Sequence, residues 1–392
     1  MKRKTKNVVW VILGLLLLGA LLGFAVAPGM LGRSMNGLTG EDLVKPSPAA
    51  RALHDSLRVV DLHSDALLWN RNLLRRGSWG HVDVPRLVEG HVAVQSFTTV
   101  TKVPQGINIE ANSAESDLIT LIAVLERWPM RTWGSLAERA LYQASKLRAF
   151  ADNSGGRLTV LRTRDDLSDY LRRRISEPDI TAGFLGIEGA HALEGDPTNV
   201  ERLYEAGFRM FGLTHFFDNE VGGSAHGLEK GGLTPFGAQV VDRAQELGIL
   251  IDLAHASPAL MDDVLDRVHV PVVVSHGGVK GTCDNRRNID DGRLARIAAG
   301  GGVVGIGLWK TAICGRSPAS WARAVHHAVD IMGVEHVSLG SDWDGAVSNV
   351  VDAAGTVYLT QALMDEGFTS DEIRKIMGEN ALRVLAEVLP AP

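Results

Sequence analysis

The sequence predicts an α/β chain folded as a (β/α)8 TIM-type barrel with one elaborated βα loop, preceded by an N-terminal transmembrane helix. Three observations carry this. Eight β-type runs lie between Val59 and Asp342, with helical patterns between them. Six of those runs end in a residue that can bind a metal or move a proton. An unbroken apolar stretch, Val8 to Ala27, follows Lys2, Arg3, Lys4 and Lys6.

The apolar stretch comes first. About 20 such residues can span a bilayer as a helix. The clustered positive charge predicts a cytoplasmic N-terminus and an exported remainder. A cleaved signal peptide is the rival reading, because Ala25-Val26-Ala27 resembles an A-x-A site. The run exceeds the usual h-region of about 7–15 residues, and Pro28 would follow the cut, so a retained anchor is favoured. The domain that follows lies outside the cytoplasm under both readings, membrane-anchored or, after cleavage, secreted. Residues 1–27 are thus anchor or signal peptide. Residues 28–50, rich in Gly, Pro and Ser, read as a linker, and 51–392 form the barrel.

The strand runs follow in order. Val59-Val60-Asp61-Leu62 leads into His63 and Asp65, and Val92–Val100 comes next. Gly183–Ile187 ends at Glu188, Met210–Thr214 at His215, and Ile249–Ala254 at His255. Pro271–Ser275 ends at His276, Gly302–Leu308 is the seventh run, and Val337–Ser341 ends at Asp342. Helices separate them. Thr234 is a good N-cap, with Pro235 at the first helical position and a stop near Gly248. Ser257-Pro258 opens another helix in the same way. Thr369 with Glu372 forms a capping box ahead of Ile373, Ile376, Leu382 and Leu385. Strand–helix alternation implies parallel pairing with right-handed crossovers. The longest interval, Lys102 to Ala182, holds two helical segments, Leu118–Leu125 and Leu136–Phe150, and a short extra strand candidate, Leu158–Leu161. It reads as an elaboration of one loop.

Composition sets bounds. The 392 residues, 45% hydrophobic and 22% charged, are those of a globular chain with a sizeable core. A formal charge of −6 argues against nucleic acid as a partner. The two cysteines, Cys283 and Cys314, lack metal-binding spacing, which argues against a thiolate site, and their number excludes a disulfide framework, though not one bridge.

Active sites of such barrels sit at the C-terminal strand ends. His63, Asp65, Glu188, His215, His255, His276 and Asp342 all fall there. Imidazoles with carboxylates suit zinc or a similar divalent ion. His63 and Asp65 are two apart, so on a strand both side chains point to one side. Glu188 has two oxygens and could bridge two ions. Two metals about 3.5–4 Å apart would hold a hydroxide between them and polarise a carbonyl or phosphoryl oxygen. A lone strand-end histidine is more often a surface residue, and a lone aspartate a turn or cap residue. The joint pattern is what carries the reading. His54, His81, His91, His226, His269, His326, His327 and His336 do not end a strand run and read as structural or surface residues.

At these residues the sequence resembles the membrane dipeptidase family, also called renal dipeptidases or peptidase family M19, metal-dependent barrels akin to the amidohydrolases. The motifs are Asp61-Leu62-His63-Ser64-Asp65, Ile187-Glu188-Gly189-Ala190-His191, Leu213-Thr214-His215, Gly232-Leu233-Thr234-Pro235-Phe236-Gly237, Ile251-Asp252-Leu253-Ala254-His255, Ser275-His276, Arg286-Arg287-Asn288 and Ser341-Asp342-Trp343-Asp344-Gly345. The likeness runs from Val59 to Leu389. It implies a zinc metallopeptidase with two divalent ions, zinc preferred, hydrolysing dipeptides. His63, Asp65 and Glu188 would hold one ion; Glu188, His255 and His276 would hold the other. His215 would contact substrate and stabilise the tetrahedral oxyanion. Arg287 would bind the dipeptide's carboxylate through its guanidinium fork. Asp342 would pass a proton from the attacking water to the leaving amine. The likeness also suggests a homodimer. It gives His191 no role, and that residue reads as packing.

Leu62 before the first histidine and Gly277-Gly278-Val279-Lys280 after His276 depart from the mammalian pattern, which leaves substrate side chains open. Phe216-Phe217-Asp218-Asn219-Glu220 and Trp309-Lys310 either line the pocket or are ordinary loop packing. Two other functions stay open: another amidohydrolase-type hydrolase, acting on a lactam, lactone or phosphoester, or a tethered binding protein without activity. Arg287 discriminates the first, and the complete ligand set argues against the second.

Overall fold

The structure is a computed structural model and describes residues 7, 10, 13, 14 and 26–391. The Val8–Ala27 stretch lies almost wholly outside the described residues. Among those described, no helix is long and apolar enough to cross a membrane.

Among the described residues nine strands form: β1 (Val59–Asp61), β2 (Val92–Val100), β3 (Leu158–Val160), β4 (Thr181–Glu188), β5 (Phe208–Gly212), β6 (Leu250–Asp252), β7 (Val273–Gly277), β8 (Val303–Ile306) and β9 (Val337–Leu339). All pairings are parallel. The order β2-β1-β9-β8-β7-β6-β5-β4 closes on itself through the β2–β4 pairing, giving the eight-stranded barrel. The extra strand β3 stays outside the closure and pairs only with the start of β4, at Thr181–Gly183. Every residue of β2 and β4 is buried, because a closed parallel sheet is covered on both faces.

Local chemistry sets the helices where the caps stand. Thr234 accepts from the Gly237 amide and Gly248 ends that helix with φ +67°, a left-handed cap. Ser257 accepts from Leu260, and the Thr369–Glu372 capping box is present. The last helix departs from the simple pattern: a π-helical turn, Lys375–Glu379, separates Ser370–Arg374 from Asn380–Val388. There the Gly378 backbone meets the Arg58 carbonyl, where a Cβ would come within 1.8 Å.

Two segments outside the barrel reach its mouth. The Lys102–Ala182 interval contributes the helices Leu118–Leu125 and Leu136–Asp152. Ahead of the barrel, residues 26–35 are helical, and the chain beyond them is pinned to the loop after β9. The Thr39 amide donates to the Asn349 carbonyl at 2.8 Å, Asn349 donates back to Gly37 at 3.0 Å, and Ala346 donates to Asn36 Oδ1 at 3.0 Å.

Candidate metal centre

The strand registers bring every strand-end candidate to one end of the barrel. His63 and Asp65 lie just past β1, Glu188 ends β4, and His276 lies within β7. His215, His255 and Asp342 each stand three residues beyond β5, β6 and β9. All are buried. Two of them hold left-handed backbone without being glycine, His255 at φ +62° and Asp342 at φ +60°. Such strain persists only where surrounding structure over-determines it. Gly189, at φ +97°, lets the chain turn directly after Glu188; a Cβ there would meet the His191 ring at 2.2 Å.

One carboxylate oxygen is the hub. Glu188 Oε1 lies 3.5 Å from His63 Nε2, 3.4 Å from His215 Nε2, 3.2 Å from His255 Nε2 and 3.4 Å from His276 Nε2. His63 Nε2 is also 3.6 Å from Asp65 Oδ1. Three sets offer ligand atoms within 4.8 Å of one another: His63, Glu188 and His276; Glu188, His215 and His255; and His63, Asp65 and Asp342. His63 Nε2 is buried without a hydrogen-bond partner, and His255 Nε2 faces His276 Nε2 at 3.0 Å. Imidazole lone pairs converging on carboxylate oxygens form a donor set that fits divalent cations. His215 and Asp342 stand as near the cluster as the other members do, so distance alone does not separate ligand from catalyst.

Ser275 fixes the tautomers. Its Oγ lies 3.0 Å from His63 Nδ1 and 3.0 Å from His276 Nδ1. A hydroxyl oxygen has two lone pairs, so both rings can donate from Nδ1 and leave both Nε2 atoms facing the centre.

Burial dominates the electrostatics. It pushes Asp342 up to about 8, with Asp65 adding to the rise against His63 and Arg287. Burial and Asp65 also raise Glu188. Burial opposes a charge on His63, but Glu188 and Asp65 override it and carry that ring up to about 10. His215, His255 and His276 are held well below the usual histidine value by burial and by neighbouring cationic groups. Crowded carboxylates beside three imidazoles held neutral, His215, His255 and His276, make a site that a cation stabilises.

A cavity of about 390 Å³ opens over the cluster, lined by Asp65, Glu188, His215, His255, His276, Arg287 and Asp342 among others. Arg287 Nη2 donates to the His276 carbonyl at 2.8 Å, and its guanidinium lies 5.9 Å from the Trp309 ring. His63 is fully buried beneath the others. Phe216 and Trp309 line the cavity, whereas Phe217 packs on His191 at 4.8 Å. His191 is buried with both ring nitrogens unpartnered, as a packing residue.

His226, read as structural or surface, is buried with its Nδ1 2.9 Å from the Ile109 carbonyl, and it also lines the cavity beside Arg287. The Ser224–Ala256 bridge brings its loop to His255, and its ring lies 5.3 Å from the His255 ring. No strand run precedes it, so the signal that found the other histidines could not find this one. Cys283 and Cys314 form the one bridge that the sequence left open, joining the loops after β7 and β8.

Comparison with known proteins agrees with the geometry. The family described as "Membrane dipeptidase (Peptidase family M19)" matches residues 48–390. An uncharacterized dipeptidase of Schizosaccharomyces pombe is 28% identical over 387 residues, covering 94% of this chain and 88% of its own. Dipeptidase aclJ of Aspergillus oryzae is 27% identical, covering 84% and 78%. Among solved structures, a Rhodobacter sphaeroides metallopeptidase, liganded with a phosphinate mimic of the dipeptide L-Ala-D-Ala, superposes with a TM-score of 0.67 at 25% identity, covering 85% of this chain and 99% of that one.

Proposed function

The chain belongs to the membrane dipeptidase family, peptidase family M19, and from that premise we propose that it hydrolyses dipeptides at a centre of two divalent ions, zinc by preference. The observation that carries this is the Glu188 hub, one carboxylate oxygen within 3.5 Å of four imidazole nitrogens, with Arg287 on the same cavity wall. His63, Asp65 and Glu188 would hold one ion, and Glu188, His255 and His276 the other. Bound ions would supply an activated water and polarise the scissile carbonyl.

This chain's own groups do the rest. Arg287 receives the substrate carboxylate through two charge-assisted hydrogen bonds, stronger than neutral ones and here shielded from solvent. His215, kept neutral by burial, has one N–H to offer the developing oxyanion. Asp342, raised to about 8, can hold a proton near neutral pH and release it to the leaving amine. The phosphinate dipeptide mimic bound by the Rhodobacter protein supports a dipeptide in this cavity.

Residues 1–27 would tether the domain to a membrane, or direct its secretion if cleaved, with residues 28–50 leading into the barrel domain, 51–392. The Cys283–Cys314 bridge supports an oxidising compartment outside the cytoplasm. The homodimer is also a proposal, which sedimentation of the full chain would test. The activity test is hydrolysis of a dipeptide panel, with and without chelator. Chelator-sensitive release of both amino acids is expected. Hydrolysis unaffected by complete metal removal would sink the reading.

A further inference from the structure

We propose that the cavity wall opposite Arg287 is an apolar subsite for the first residue of the substrate, making the chain selective for dipeptides with a large apolar N-terminal side chain. This rests on the dipeptidase reading and deepens it. The barrel order sets the direction. Between β2 and β7 stand β1, β9 and β8 one way round, and β4, β5 and β6 the other, so the two strands face each other across the barrel. Arg287 follows β7, and Val100 ends β2. A dipeptide held by its carboxylate at Arg287 crosses the Glu188 cluster and presents its first residue to the β2 side.

The one polar lining residue that follows β2, Asn108, is spent locally: its Nδ2 donates to the Ala111 carbonyl at 2.9 Å and its Oδ1 accepts from the Glu110 and Ala111 amides at 2.8 Å. The wall on that side is Met35, Leu68, Val100, Val103, Ile119 and Ile122. Five of these form a hydrophobic cluster separate from the main core, with Met35 packed against it. Trp69 closes the same corner, but its Nε1 is already committed to the Asp344 carbonyl at 2.7 Å. A polar side chain placed here would lose its water without gaining a partner. An apolar one buries methylenes. The whole cavity, the cluster side included, is about 390 Å³, against about 150 Å³ for an apolar cavity that takes benzene.

Apart from Val100 at the end of β2, the wall is made by segments outside the barrel strands. Ile119 and Ile122 sit one turn apart on the helix Leu118–Leu125, so they share a face. Met35 comes from the segment that precedes the barrel and is clamped to the loop following β9. Selectivity is therefore separable from the chemistry at the strand ends.

The test compares kcat/KM for Phe-Ala, Leu-Ala, Asp-Ala and Gly-Ala on the metal-loaded full chain. Phe-Ala and Leu-Ala are expected to exceed Gly-Ala and Asp-Ala by about 100-fold or more, since each methylene in an apolar pocket discriminates by about 10-fold or more. Ile122→Ala and, separately, Met35→Ala should each lower the Phe-Ala to Gly-Ala ratio by about 10-fold. Met35 is only partly buried, so its variant keeps the test open if the Ile122 variant folds poorly. A wild-type ratio near one, or a ratio unchanged in both variants, overturns the subsite while the dipeptidase reading stands. No hydrolysis of any dipeptide by metal-loaded protein overturns both.

Discussion

The floor and the outer wall of the cavity are built by opposite means. The floor is polar and comes from the ends of six strands. The wall is apolar and, apart from Val100 at the end of β2, comes from an insertion helix, loops and the segment before the barrel. Their tolerances differ accordingly. Groups that hold ions and move protons must stand within about 0.5 Å of the productive arrangement, which rigid elements and buried hydrogen bonds provide. An apolar wall needs only surface and shape.

The floor shows how that accuracy is reached. The β1–β9 and β6–β7 seams each have a single register pair, Asp61↔Leu339 and Asp252↔Val273. Where the ladder stops, the aspartates take over. Asp61 accepts from Ser341 N at 2.7 Å and Ser341 Oγ at 2.8 Å, fixing the residue before Asp342. Asp252 Oδ1 accepts from Ala254 N at 2.9 Å and Ser275 N at 2.8 Å, fixing the residues before His255 and His276. The wall's clamps hold loops and the insertion helix, not strand ends: Gln143 Nε2 donates to the Val100 carbonyl at 2.9 Å, and Arg139 Nη1 to the Thr101 carbonyl and to Asp117 Oδ2, both at 2.6 Å. Lys146 Nζ donates to the carbonyls of Leu67 at 2.6 Å and Trp69 at 2.8 Å, tying the insertion to the loop behind Asp65.

Substitutions at the floor should therefore change chemistry or metal content, and those at the wall selectivity or stability. The largest effect is expected from Glu188→Gln, which removes the carboxylate charge and replaces one of its two oxygens by an NH2: bound metal and turnover should both fall to background, read by elemental analysis and a dipeptide assay. Asp342→Asn should lower kcat by about 10²–10⁴-fold with metal content unchanged. If metal is lost as well, Asp342 belongs to the ligand set. Arg287→Ala should raise KM for free dipeptides by about 10–100-fold, the size of a lost charged hydrogen bond, and leave substrates without a carboxylate much less affected. Ser275→Ala should weaken metal affinity by about 10–100-fold, as for other groups that orient a ligand; unchanged affinity would show that packing alone holds His63 and His276.

The wall should show its effect in stability. Burial holds Lys146 down at about 7 against an ordinary 10.5. Between those values the unfolded chain binds a proton that the folded chain lacks, so this lysine's contribution to stability rises with pH. The cost of its buried charge is full below about 7 and is relieved above it. In denaturant titrations, wild type should gain on Lys146→Met as pH rises from 7 to 10, by at most about 1.4 kcal/mol per unit. A flat difference would mean that the lysine titrates as if exposed.

The floor was legible in the sequence because strand ends leave a linear mark: a β-type run followed at once by His, Glu or Asp, as at Ile187-Glu188 and Ser275-His276. The barrel was legible for the same reason, including β3 as an extra strand. The wall left no such mark. Ile119 and Ile122 announce a helix with an apolar face, but not what that face meets. Met35 sits in a stretch whose Gly and Pro content suggests a linker, while its contacts come from backbone pairing with residues 346–349. His226 reaches the cavity through a loop bridge between residues far apart in sequence. Asp61, Asp252 and Ser275 looked like ordinary strand residues, because the partners that give them work come from neighbouring strands.

The central claim is that the strand ends hold two ions that the chemistry requires. The most direct measurement is stoichiometric metal titration of chelator-stripped full-length protein, following bound metal and dipeptide turnover together. Activity should return with the second ion and reach its plateau at two ions per chain. A plateau at one ion, or turnover by protein that binds none, would contradict the account.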